Sequence, residues 1–168
     1  MQNDAMLDST DLEILTILQD NARTSNADVA RQVGLTPSAV LERIRKLERK
    51  GALTGYHARI APDAVDQGLL AFIFVRSNER LGEQHVSFDM AAIPEVQEVH
   101  HVAGEDCYLV KVRTSGPQEL GRLLREDFGR IASVTSTRST VVLETVKEDM
   151  RLAMPPIDRD GDGAAPEE

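Results

Sequence analysis

Cysteine is almost absent. Cys107 is the only one in 168 residues, so no intrachain disulfide can form and no zinc cluster can be built from thiolates. Long apolar runs are missing as well. No stretch approaches the ~18 residues needed to span a bilayer, although hydrophobic residues make up 41% of the chain, enough for a folded core. The opening MQNDAMLDSTD has no basic region followed by an apolar one. A secretory signal is therefore not expected, and a cytoplasmic location is. Catalytic signatures are equally scarce: there is no Ser-His-Asp pattern, no Gly-rich phosphate loop and no HExxH. His100-His101 is the one histidine pair, in a predicted strand. Alternation there sends the two rings to opposite faces, so they cannot chelate one metal. No catalytic residue, metal or cofactor is expected.

The charge is uneven. The net −9 lies wholly in residues 61–168, with twenty acidic and eleven basic side chains, whereas residues 1–60 hold eight of each. Within that neutral part, residues 36–50 carry five basic and two acidic groups. A local positive segment matters more for nucleic acid than the overall sum. The last stretch, 151–168, is rich in Pro, Gly and acid and is expected to be a disordered tail. Its Asp158-x-Asp160-x-Asp162-Gly163 matches the first half of a calcium loop. That loop needs a Glu at its twelfth position, one place beyond Glu168, so calcium binding is not expected.

The chain length suits one large domain or two small ones. In the first sixty residues, Leu12, Leu15 and Leu18 repeat at helical spacing behind a Thr10-x-x-Glu13 capping box, predicting a helix from about Thr10 to Asn21. Ser25-x-x-Asp28 caps a shorter helix carrying Val29, Ala30 and Val33, and Gly34 is a natural left-handed stop. Thr36-Pro37 opens a third helix, to Lys50, which Gly51 ends. Helix, short helix, tight turn and longer helix form the helix-turn-helix pattern. At ~100° per residue Val40, Ile44 and Leu47 fall within about 60° of one another and face the core. Ser38, Glu42, Arg45, Lys46 and Arg49 point away. In this motif the outer face enters the major groove of double-stranded DNA. Ser38, Glu42 and Arg45 are the candidates for base contact, with Thr36 at the helix start. Glu accepts from cytosine N4, and Arg forks onto guanine O6 and N7. Lys46, Arg49 and Lys50 are assigned to phosphates. The residues after Gly51, ALTGYHARI, suit a strand or wing.

Residues 61–68 read as a linker between Ala61-Pro62 and Gly68. From 69 to 150 the order is strand (Leu69–Ser77), helix (around Val86, Met90 and Ile93), two strands about a turn at Gly104-Glu105-Asp106, a helix from Pro117, and a strand (Val134–Val146). The fold class is α+β: a winged helix-turn-helix followed by a ferredoxin-like βαββαβ domain. Both faces of the first strand are apolar: Leu70, Phe72 and Phe74 on one, Ala71, Ile73 and Val75 on the other. Two helices cover one face of the sheet. A second copy of the chain is the simplest cover for the other, which predicts a homodimer.

LDSTDLEILTILQDNAR, VGLTPSAVLERIRKLERKGALTGY, GEDCYL and STVVLETVKE together resemble the Lrp/AsnC family of leucine-responsive, or feast/famine, transcription regulators, over about residues 7–148. The resemblance implies a nucleoid-associated DNA-binding regulator that dimerises through its sheet domain, often assembles into octamers, and in many members binds an amino acid between dimers. Carried onto this chain, that effector site comprises Gly104 with its neighbours Glu105 and Asp106, and Thr137 and Ser139. The family loop commonly has Asp where this chain has Cys107. Two other functions compete: an enzyme similar to the siroheme decarboxylases, whose architecture is alike, and a metabolite-sensing assembly protein without DNA contact.

Overall fold

The computed structural model describes residues 7–80, 85–104 and 106–157. They form two compact units. The first joins the N-terminal residues to Ala58 with the segment from Asp149 onward, and the second runs from Arg59 to Glu148. The expected boundary at residue 60 therefore moves back by two, and the 61–68 segment belongs to the second unit as a 3₁₀ turn at Pro62–Val65 with Asp66 left-handed.

The first unit holds α1 (Ser9–Asp20), α2 (Asn26–Val33) and α3 (Pro37–Arg49). Ser25 caps α2 and Thr36 caps α3 with Pro37 behind it. Gly34 adopts φ 71°, the left-handed turn between α2 and α3 that an L side chain enters only at a cost. Ile14, Val29, Val40 and Leu47 are buried together at the centre of the unit. Two expectations are corrected here. The α1 cap is Asp8, whose carboxylate accepts from the Asp11 N–H at 2.7 Å, and Thr10 lies inside the helix. Residues 52–60 form no strand: the first unit, to which 52–58 belong, has no strand among the described residues, and ladder groups without a partner gain nothing by extending.

The segment after Glu148 is a third correction. The Gln19 side-chain amide pairs with both backbone groups of Leu152, donating to its carbonyl at 2.9 Å and accepting its N–H at 2.9 Å. Arg151 bonds Asp20, and Met154 packs against the helical core. Residues 151–154 are thus docked on α1. The Asp158–Gly163 motif lies outside the described residues.

The second unit is a four-stranded antiparallel sheet of β1 (Leu69–Ser77), β2 (Val96–His101), β3 (Tyr108–Thr114) and β4 (Val134–Val141), in the order β2-β3-β1-β4. With α4 (His85–Ala91) and α5 (Pro117–Glu126) it follows the expected βαββαβ order. Ala71, Ile73, Val75, Val110 and Val112 form the covered face with Val86, Met90, Leu120, Leu123 and Phe128. β4 ends five residues earlier than expected. Val141 pairs with Ala71 and the Val142 N–H reaches the Leu70 carbonyl, after which β1 has almost no strand left to pair with.

The opposite face is only partly apolar. Phe72, Phe74 and Leu109 are half-buried there, but β3 also presents Lys111 and Arg113. Lys111 pairs with Glu98 (3.1 Å) and Glu148 (2.6 Å), and Arg113 with Glu148 (2.8 Å). The His100 hydrogen bond, opposed by burial and helped by Lys111, holds the Glu98 carboxyl below its ordinary range. Lys111, again against burial and with Arg113, does the same for Glu148. A depressed carboxyl contributes stability above its unfolded value, 4.5, and that contribution is lost as pH falls through the folded value. Thermal melts from pH 7 to pH 3 should show the second unit losing stability below about pH 4.5. Glu148→Gln should lower the melting temperature at pH 7 and flatten the acid limb. An acid limb as steep in the variant as in the parent would remove Glu148 from this account.

Candidate nucleic-acid interface and effector site

On α3 the residues divide as the wheel requires. Val40, Ile44 and Leu47 are buried, while Ser38, Glu42, Arg45, Lys46, Arg49 and Lys50 are exposed, as is Thr36 at the cap. Thr36 and Ser38 hydroxyls lie 3.1 Å apart at the N-terminal end. Glu42 and Arg45 form an exposed i,i+3 pair at 3.5 Å. A pair this open to water is worth little.

The fifth cation of the basic segment is spoken for. Arg43 Nη1 donates to Asp8 Oδ2 at 2.6 Å and to Asp11 Oδ1 at 2.7 Å. Burial pushes the Asp8 carboxyl up, but the bonds from Arg43 and from the Asp11 N–H, with the charges of Arg43 and Lys46, hold it below its ordinary range. The Asp8 bond raises Arg43 in turn, against the effect of burial. Sequence reading counted Arg43 only as positive charge; its partners sit 35 and 32 residues away.

At the far end of the sheet, the β2–β3 turn carries Gly104 at φ 138°, open space where a Cβ would stand. Glu105 lies outside the described residues. Asp106 is engaged: Arg138 Nη2 donates to Oδ2 at 3.0 Å, and Arg76 lies 3.6 Å from Oδ1. The Arg138 guanidinium stacks 4.0 Å over the Phe74 ring. Thr137 and Ser139 pair with Val75 and Ile73, which places both hydroxyls on the helix-covered side of the exposed edge strand. Arg138 pairs with Phe74 and faces the other side. Gly104, Asp106 and Thr137 therefore share one end of the sheet, but within one subunit Asp106 and the two hydroxyls are not on one face. Arg76 and Arg138 were missed because only the sheet register brings them to Asp106. Cys107 is half-buried, its Sγ 3.6 Å from the Ser77 carbonyl.

His100 and His101 point to opposite faces, the first to Glu98 and the second to the Tyr108 ring. Among the described residues no cluster of three or more potential ligands could hold a metal ion, and no helix is long and apolar enough to cross a membrane.

Residues 7–48 match the AsnC-type helix-turn-helix domain, and residues 70–152 match the Lrp/AsnC ligand binding domain. The leucine-responsive regulatory protein of Escherichia coli is 38% identical over 150 residues, covering 88% of this chain and 92% of that one. The chain belongs to the Lrp/AsnC family. Solved Lrp/AsnC structures have the same fold. A transcriptional regulator of Neisseria meningitidis in complex with L-methionine superposes with a TM-score of 0.82 at 29% identity, covering 88% of this chain and 97% of that one. The feast or famine regulatory protein of Mycobacterium tuberculosis, complexed with L-methionine, gives 0.82 at 33% identity, covering 89% and 100%. This Lrp/AsnC chain is thus a DNA-binding transcription regulator, in a family of regulators rather than enzymes.

Proposed function

We propose that this regulator works in the cytoplasm on the nucleoid as a homodimer, with further assembly such as an octamer, and that it reads double-stranded DNA with the outer face of α3 under the control of a free amino acid. The observation that carries the DNA reading is the outward display of Ser38, Glu42, Arg45, Lys46, Arg49 and Lys50 on a helix whose opposite stripe is buried. Ser38, Glu42 and Arg45, with Thr36, are given the base edges; Lys46, Arg49 and Lys50 are given the phosphates. No catalytic step and no cofactor enter this reading.

The effector reading is supported by the two L-methionine complexes of similar fold. A free amino acid needs donors for its carboxylate and acceptors for its ammonium. Backbone N–H groups around Gly104 can approach the carboxylate closely because no Cβ intervenes. Asp106, with Glu105 beside it, takes the ammonium. A carboxylate has about four acceptor positions, and two guanidiniums leave room for a third partner. Thr137 and Ser139 offer hydroxyls from the edge strand, and a neighbouring subunit brings them to the same ligand. A thermal-shift screen of the twenty amino acids, followed by calorimetry on Asp106→Ala and Thr137→Ala, tests this. At least one amino acid should stabilise the parent, and each substitution should weaken its binding about fivefold or more, the loss of one good hydrogen bond. No stabilising amino acid at millimolar concentration, or a Kd untouched by both substitutions, would contradict it.

A further inference from the structure

A recognition helix can place side chains on particular bases only if its rotation about its own axis is fixed. The buried stripe of α3, packed with Ile14, Leu18 and Val29, sets that rotation broadly, and directional bonds at its border hold it more tightly than apolar contact alone. Arg43 lies about 60° round the helix from Val40, at the border of the stripe, on the side of Lys46. Its Nη1 makes two charge-assisted hydrogen bonds, to Asp8 at 2.6 Å and to Asp11 at 2.7 Å. Such bonds are short and directional. Both acceptors belong to the start of α1: Asp8 is its cap, and Asp11, one turn on, is only 4% exposed. A carboxylate that buried is retained only when paired, and Arg43 is the cation bonded to it.

We propose that Arg43, held by Asp8 and Asp11, is the positioning residue that sets the rotation of α3 and hence which base edges Glu42 and Arg45 reach. Arg43 itself touches no DNA. The cap of α1 and the register of the recognition helix are then one structural element. This rests on the reading of α3 as the helix that enters the groove.

The test uses the full chain, a duplex selected by the parent from random sequence, and a scrambled duplex of equal length. Affinities are measured over a range of salt, well below the melting temperature. Arg43→Met keeps the apolar stem and removes the Nη1 donor that makes both bonds. It should lose about tenfold or more in affinity for the selected duplex, comparable to losing a bidentate base contact. Affinity for the scrambled duplex and the salt slope should stay at parental values. Arg43→Lys keeps a cation beside both carboxylates but on a shorter stem with a freely rotating ammonium, and should lose an intermediate share of the preference. A salt slope smaller by about one would make Arg43 a phosphate contact and overturn the proposal. A lowered melting temperature with the preference intact would make it structural only, and also overturn it. Should Arg43→Met fail to fold, Arg43→Lys decides on the same criteria. Arg45→Ala separates the two levels. If it alters the preference and the Arg43 variants do not, only the positioning role fails; if neither does, the reading of α3 fails as well.

Discussion

Replacing Arg45, Lys46 and Arg49 together with alanine should reduce operator binding to the non-specific level or below, a loss of ~10³-fold or more. All three are exposed on the face of α3 opposite Val40, Ile44 and Leu47, so the substitutions remove no core contact. Two effects combine. On the proposed reading, losing Arg45 takes away a base contact worth about 1–3 kcal/mol. Losing Lys46 and Arg49 takes away two phosphate contacts per α3, each of which releases counterions, so the slope of log affinity against log salt should shrink by about 1.8 per helix. The net charge of −9 makes these positions count for more, since the summed charge of the chain opposes a polyanion. The melting temperature should stay close to parental. Fluorescence anisotropy with a selected duplex at several salt concentrations measures both terms. Parental affinity in the triple variant would exclude α3 as the contact surface.

The second large effect concerns assembly. Leu143 and Val146 are 98% and 91% exposed in the subunit, just past the end of β4. An isolated subunit gains nothing from such side chains, whereas a second copy that covers them gains about 1.5–3 kcal/mol each. Two-fold symmetry makes each count twice. If the chain assembles through these side chains, Leu143→Asp with Val146→Asp should convert it to monomer at micromolar concentration, with the subunit fold intact by circular dichroism. Size-exclusion light scattering on parent and variant decides. A monomeric parent, or a variant that assembles like the parent, would contradict the interface.

What could be read in the sequence was local. Thr36-Pro37, Ser25 and Gly34 each act within a few residues, and the structure uses them as caps and turn. Alternation in β1 was equally readable, since Ala71, Ile73 and Val75 are all buried on one face. Sequence reading failed where a long-range partner decides. Asp8 displaces Thr10 as the α1 cap while an arginine 35 residues away binds its second oxygen. β4 stops at Val141 because β1 begins at Leu69, which no property of STVVLETV reveals. Residues 52–60 carry strand-forming side chains but lack a strand to join. The same limit applies to the effector site. Gly104 is legible in the sequence as a hairpin turn and enters the proposed effector site through the family resemblance, whereas the Arg138 bond to Asp106 crosses 32 residues and depends on the register of β1 with β4. The docking of Leu152 on Gln19 spans 133 residues and runs against the polar composition of the tail.

The central claim is that the outer face of α3 reads bases. Parallel selections from a randomised duplex pool by the parent, Arg45→Ala and Lys46→Ala measure this most directly. The parent should return a defined motif. Arg45→Ala should return the same motif with one base pair per half-site relaxed and affinity lower by about 1–3 kcal/mol. Lys46→Ala should return the parental motif unchanged, with binding weakened alike for all sequences and a salt slope smaller by about one. Parental motif and parental affinity in both variants would contradict the account.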